Sequence, residues 1–241
     1  MITKNKVFTD ADMRKAIDKN SLAGVKRILD AGYDMSRQFH TDVMFHRDCV
    51  GKPALIWAVL SGRNSIVKLL IERGCNLNDR DRVGQSALHI AATQTSPAML
   101  QLLIDAGADL NAAHVGMQTP LHYAVGADRD ANCRLLVEAG AKPDFVPEEA
   151  RRLFQPKYLT PFQLAVETGN LNVAAMLAEN DPELFEQQTL DGRNLAQLCS
   201  SPEDKQKFLA LRSEIAMRAR MPAGAVCEGS AGPRRGVSVA L

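Results

Sequence analysis

The chain has 241 residues, of which 46% are hydrophobic and 24% charged, a balance that excludes a disordered polymer and is long enough to bury a continuous core. Lys and Arg number 29 against 28 Asp and Glu, so a net charge of +1 excludes a global positive field of the kind that gathers nucleic acid or an acidic membrane. Five scattered cysteines, Cys49, Cys75, Cys133, Cys199 and Cys227, form neither a disulfide framework nor a paired zinc knuckle.

Taken in chain order, the first signal is Thr9 with Asp12 three residues on, a helix start of the capping-box kind. Ala16, Ile17, Val25, Ile28 and Leu29 follow at helical spacing and end at Gly32, which predicts a pair of short helices. Arg14, Lys15, Asp18 and Lys19 make the first of them polar, as suits an end unit with one face in water. A stretch over 35–50 then carries Phe39, His40, Met44, Phe45, His46 and Arg47.

From Pro53 onward the chain repeats itself. Pro53-Ala54-Leu55-Ile56-Trp57-Ala58, Ser86-Ala87-Leu88-His89-Ile90-Ala91, Thr119-Pro120-Leu121-His122-Tyr123-Ala124, Thr160-Pro161-Phe162-Gln163-Leu164-Ala165 and Arg193-Asn194-Leu195-Ala196-Gln197-Leu198 align on their third residues, spaced 33, 33, 41 and 33 apart. About eleven residues after the first three anchors comes a second apolar block, Ile66–Leu70, Met99–Leu103 and Cys133–Leu136. Each block runs into a glycine, Gly74, Gly107 or Gly140. Two amphipathic helices closed by a left-handed glycine account for the unit, and the polar turn after each glycine is expected to project as a finger.

Measured against this period, 9 residues are added between Gly32 and Leu55, and 8 between Gly140 and Phe162. The second addition, 145–157, holds Phe145, Glu148, Glu149, Arg151, Arg152, Leu153 and Phe154, with Tyr158 just beyond it. Loops longer than scaffold packing requires are places for contact with a partner, and aromatics with arginine are the residue types that dominate such contacts. The alternative use of these aromatics is to fold back and seal the neighbouring repeat. At the C-terminal end, a helix over 193–199 is expected, then a second from Ser201-Pro202-Glu203 with Phe208, Leu209, Leu211, Ile215 and Met217 as a closing cap. Residues 221–241 are rich in Gly, Ala and Pro without amphipathic period, and a flexible tail is expected there.

The period of 33, the Thr-Pro-Leu-His at 119–122 and the Gly-Ala-Asp-Leu-Asn at 107–111 resemble the ankyrin-repeat family. The resemblance implies an all-α solenoid of about five to six stacked helix pairs with β-turn or finger loops. It spans residues 1–220, with units at about 9–34 (N-terminal cap), 51–80, 84–113, 117–146, 158–188 and 191–220 (C-terminal cap). It implies a non-catalytic module that binds or sequesters a protein partner through its groove, its fingers and the two added loops. By the family's positions, finger tips fall at Arg80, Arg82, Val83, Gln85, Ala113, Val115 and Gln118, and the groove at Leu60, Thr93 and Gln94 among others. With Phe39, Phe45, Arg47, Arg151, Arg152, Phe154 and Tyr158 from the added loops, these form the expected partner-binding set. The groove positions share no charge sign, which suits a protein partner better than a polyanion. Two further uses fit the same fold: a bacterial effector or immunity protein acting by binding, and a non-catalytic part of a larger enzyme assembly.

Catalysis is not expected. No GxSxG elbow, GxxxxGK[ST] loop or GxGxxG occurs. His89 and His122 end the anchor motif, where the family uses imidazole to bond neighbouring backbone; Trp57, Ile90 and Tyr123 share the next position and read as interface core. His40, His46 and Cys49 offer zinc-ligand types at a spacing no usual site shows, so no metal and no cofactor are expected. Nor is a nucleic acid, a membrane or a small-molecule substrate. The polar N-terminus and the lack of an apolar run near the ~20 residues that span a bilayer point to a cytoplasmic protein, or one secreted into a host cell without a cleaved signal peptide.

Overall fold

The computed structural model describes residues 7–38, 52–153, 157–179 and 181–220. Twelve α-helices lie in this part of the chain, in order α1 (Asp10–Asp18), α2 (Leu22–Asp30), α3 (Ala54–Leu60), α4 (Asn64–Glu72), α5 (Ala87–Thr93), α6 (Pro97–Asp105), α7 (Pro120–Gly126), α8 (Asp130–Glu138), α9 (Glu148–Arg152), α10 (Pro161–Glu167), α11 (Leu171–Ala178) and α12 (Pro202–Arg220). Short 3-10 turns occupy Pro182–Glu186 and Leu195–Gln197. Among the described residues, extended pairing is limited to two isolated bridges, Gln38 with Pro53 and Gln188 with Asn194.

The helices form hairpins, α1/α2, α3/α4, α5/α6, α7/α8 and α10/α11, with the last 3-10 turn and α12 as a sixth unit. First helices pack in a row, α1 on α3, α3 on α5, α5 on α7 and α7 on α10. Second helices form the other layer, with α2 on α4, α6 on α8, α8 on α11 and α11 on α12. A helix of seven to nine residues is too short to persist alone, so each unit depends on the apolar face it shares with its neighbours. Leu55, Leu88, Leu121, Phe162 and Leu195 are all at most 2% exposed and supply one anchor per interface. Ile66, Val67, Leu70, Leu100, Leu103 and Leu136 do the same in the outer layer, all fully buried.

Local chemistry sets the helix ends. Thr9 accepts from Asp12 N–H while the Asp12 carboxylate accepts from Thr9 N–H at 3.0 Å, the capping box read from the sequence. At the other end of α6, Gly107 has φ +88, its N–H bonds Ile104 O at 2.9 Å and Ala108 N–H bonds Leu103 O at 3.1 Å. This six-to-one closure satisfies two carbonyls that the helix would leave bare, and it needs the left-handed residue.

The C-terminal end differs from expectation. In place of a helix over 193–199 there is a single 3-10 turn at Leu195–Gln197, because Ser201 already caps α12, its hydroxyl accepting from Asp204 N–H at 3.0 Å. A further turn at Pro182–Glu186, started by Asp181 accepting from Glu183 N–H, brings Phe185 under the cap. Phe162, Phe185 and Phe208 then stack in succession, with ring centroids 5.3 and 5.6 Å apart. Along α12, Phe208 and Ile215 are buried and Leu211 half-buried, while Leu209 and Met217 face solvent at 41% and 67% exposure. No helix of the described residues is long and apolar enough to cross a membrane.

Candidate partner-binding surface

The repeat-defining polar residues are spent on joining one unit to the next. Ser86 N–H donates to His89 Nδ1 at 3.1 Å, so the imidazole hydrogen sits on Nε2 and is donated to Gln118 O, 3.2 Å away in the next finger. His122 repeats the pattern, with Thr119 N–H to Nδ1 at 3.0 Å and Nε2 to Leu159 O at 2.8 Å. Burial away from water pushes both imidazoles down to about 4. At the next anchor Gln163 makes the same two links, Oε1 accepting from Thr160 N–H and Nε2 donating to Gln188 O, each at 3.1 Å. An amide in this unit makes the two bonds that imidazole makes in the preceding ones.

The finger stems are laddered by asparagines. Asn78 Oδ1 accepts from Asp109 N–H, and Asn111 Oδ1 from Lys142 N–H, both at 3.0 Å. The first regular finger turns around Asp81, buried, whose Oδ1 accepts from Val83 N–H at 3.0 Å and Gln85 N–H at 2.9 Å. Its other oxygen takes the Lys52 ammonium at 2.8 Å, which ties this finger to the residues entering α3. The next finger lies against it: Val115 N–H bonds Val83 O at 3.3 Å, and a methyl at Gly84 would come within 3.1 Å of Val115 N. Arg80 reaches across as well, its guanidinium donating to Ala113 O.

Of the expected partner-binding set, Leu60, Arg80, Arg82, Val115, Gln118, Arg151 and Arg152 are exposed, with Leu60 at 44% and Val115 at 74%. Gln85, Thr93 and Gln94 are half-buried and already bonded: Gln85 Nε2 donates to Tyr123 Oη at 2.6 Å, Thr93 Oγ1 to Ile90 O at 2.9 Å and Gln94 Nε2 to Val59 O at 2.7 Å. Tyr158 is buried, and its hydroxyl donates to Phe145 O at 2.8 Å, so it closes the second added loop from inside instead of offering a surface. Phe39, Phe45, Arg47 and Phe154 lie outside the described residues, as do His40, His46 and Cys49.

Sequence periodicity missed several groups that shape this face. Asn132 donates from Nδ2 to Ala92 O and Gln94 O, both at 2.8 Å, and Arg129 Nε to Thr93 O at 3.1 Å. Together they fasten the α5–α6 turn, where Gln94-Thr95-Ser96 replaces the left-handed residue of the other hairpins. His114 sits edge-on to both His89 and Tyr123 and accepts Gly116 N–H at Nδ1, which shapes the second finger. Helix α9, buried only through Ala150, stands beside the two fingers. Between them opens a cleft of about 680 Å³.

Burial raises Cys75 to about 11 and Cys133 to about 12, so both are held as thiols at neutral pH. Among the described residues, no group of three or more His, Cys, Asp and Glu is placed to hold a metal.

A family model for ankyrin repeats, three copies, matches residues 13–114 and 80–146. No curated protein matches the sequence.

Proposed function

Since the chain belongs to the ankyrin-repeat family, we propose that it is a non-catalytic binding module that holds or sequesters a protein partner through its groove, finger tips and added loops. One observation supports this reading above others. The side chains that recur from unit to unit, anchors, histidines and asparagines alike, are consumed in stacking, whereas the finger tips carry apolar groups in water. Val83 is 49%, Val115 74% and Leu153 64% exposed, all on the finger side, and water-facing apolar side chains grouped on one face mark contact surfaces. The mixed charge of that side, with Arg80, Arg82, Arg151 and Arg152 among Glu148 and Glu149, suits a protein over a polyanion.

Affinity purification from the native host with mass spectrometry identifies the partner. A chain carrying Leu60→Asp with Val115→Asp should then lose capture while its melting temperature moves by less than about 4 °C, as exposed sites carry little stability. Lys68→Asp, on the outer face of α4, serves as the control and should keep full capture. Loss with the control and retention with the tip variant would place the contact on the opposite side and overturn the reading.

A further inference from the structure

The cleft between the two fingers and α9 has a chemistry of its own. Its wall is apolar, built from Ala112, Val115, Met117, Phe145, Pro147 and Leu153. Its polar lining is lopsided: three carboxylates, Asp109, Glu148 and Glu149, stand with one guanidinium, Arg80, which donates to Ala113 O, and with the imidazole of His114. Asp109 and Glu149 make no ion pair among the described residues, and Glu148 has only a 3.9 Å approach from the solvated Arg152. The cleft exists because of the second added loop. That loop's Phe145, Pro147, Glu148, Glu149 and Leu153 form the wall that faces the fingers.

We infer that this cleft receives a short peptide segment of the partner in which a large apolar side chain is flanked by lysine or arginine, a deepening that rests on the binding role proposed above. The apolar side chain leaves water against Val115, Phe145 and Leu153, and apolar burial supplies the attraction. The flanking cation meets the three carboxylates of the lining, which outnumber the one guanidinium there, and this sets orientation and disfavours acidic segments. An acidic segment would bring like charge to Glu148 and Glu149, and a purely polar one would leave the apolar wall wet. At about 680 Å³ the cleft has room for one large side chain and the peptide around it, not for a folded domain.

Selection of a random twelve-residue displayed peptide library on the full chain tests this. Enriched peptides should place Lys or Arg next to Leu, Ile, Met, Phe or Trp, and their affinity should fall with added salt. Glu148→Lys with Glu149→Lys should weaken them about tenfold or more, and Leu153→Asp, at a solvent-facing site, should do the same without a change in helix content. Enrichment of acidic peptides, enrichment insensitive to these variants, or no enrichment at all would overturn the inference. The two readings fail separately. Capture of the native partner that survives both Glu148→Lys with Glu149→Lys and Leu153→Asp, but is lost with Leu60→Asp and Val83→Asp, two exposed sites outside the cleft lining, removes the cleft and leaves the binding role; capture untouched by any of them removes both.

Discussion

Acidification from pH 7 to pH 4 is expected to destabilise the chain by about 3 kcal/mol for each of His89 and His122. Both imidazoles are almost fully buried, and both titrate at about 4 in the folded chain against an ordinary 6.5. The direction follows from the bonds. Nδ1 accepts the Ser86 or Thr119 N–H, so a proton added there would face another hydrogen, on a ring almost wholly buried from solvent. A folded value below the unfolded one means that the stabilisation is whole above pH 6.5 and is lost progressively as the pH falls toward 4. Carboxylates also protonate in the lower part of this window, and a variant separates the two. His89→Gln with His122→Gln keeps an acceptor and a donor in the places where Gln163 has them and removes the titration. Urea denaturation from pH 7 to pH 4 should show a markedly flatter loss in the double variant. Parallel curves would assign the acid sensitivity to other groups.

Phe162→Ala is expected to cost about 3–5 kcal/mol and to loosen the C-terminal cap first. Phe162 is fully buried at the anchor position of its unit, and its ring meets Phe185 edge to face at 5.3 Å. Phe185 in turn leans on Phe208 of α12, so one truncation removes the first ring of a column joining α10, the Pro182–Glu186 turn and the cap. Because each unit of a solenoid is held only by its neighbours, damage there should be felt most by α11 and α12. Phe162→Leu places the residue of the preceding three anchors at this position and should cost about 1–2 kcal/mol, chiefly the lost ring pairing and some volume. Denaturant unfolding measures the totals, and hydrogen exchange in α12 locates them. An alanine variant within 1 kcal/mol of the parent would mean that the cap is stable without the column.

The architecture was legible because its causes are local and periodic. Thr9 and Asp12 lie three residues apart, Leu88 and Leu121 lie 33 apart, and Gly107 marks a helix end by its own backbone freedom. The site was less so, for several of its bonds join residues about one unit apart in pairings that do not recur from unit to unit. Asn132 reaches Ala92 and Gln94, and Gln85 meets Tyr123 Oη; neither pairing follows from spacing. Tyr158 carries a residue type suited to contact, and only packing against Phe145 shows that it faces inward. The helix expected over 193–199 failed for a local reason that the sequence did contain. Ser201 and Pro202 begin the next helix so soon that one turn is all the room left.

Hydrogen exchange of the chain with its captured partner bound addresses the binding face most directly. Protection should gather on residues 80–85 and 112–118 and on α9, with the outer faces of α4, α6 and α8 exchanging as in the free chain. Protection of those outer faces with unchanged fingers would contradict the assignment of stacking to the recurring residues and binding to the tips.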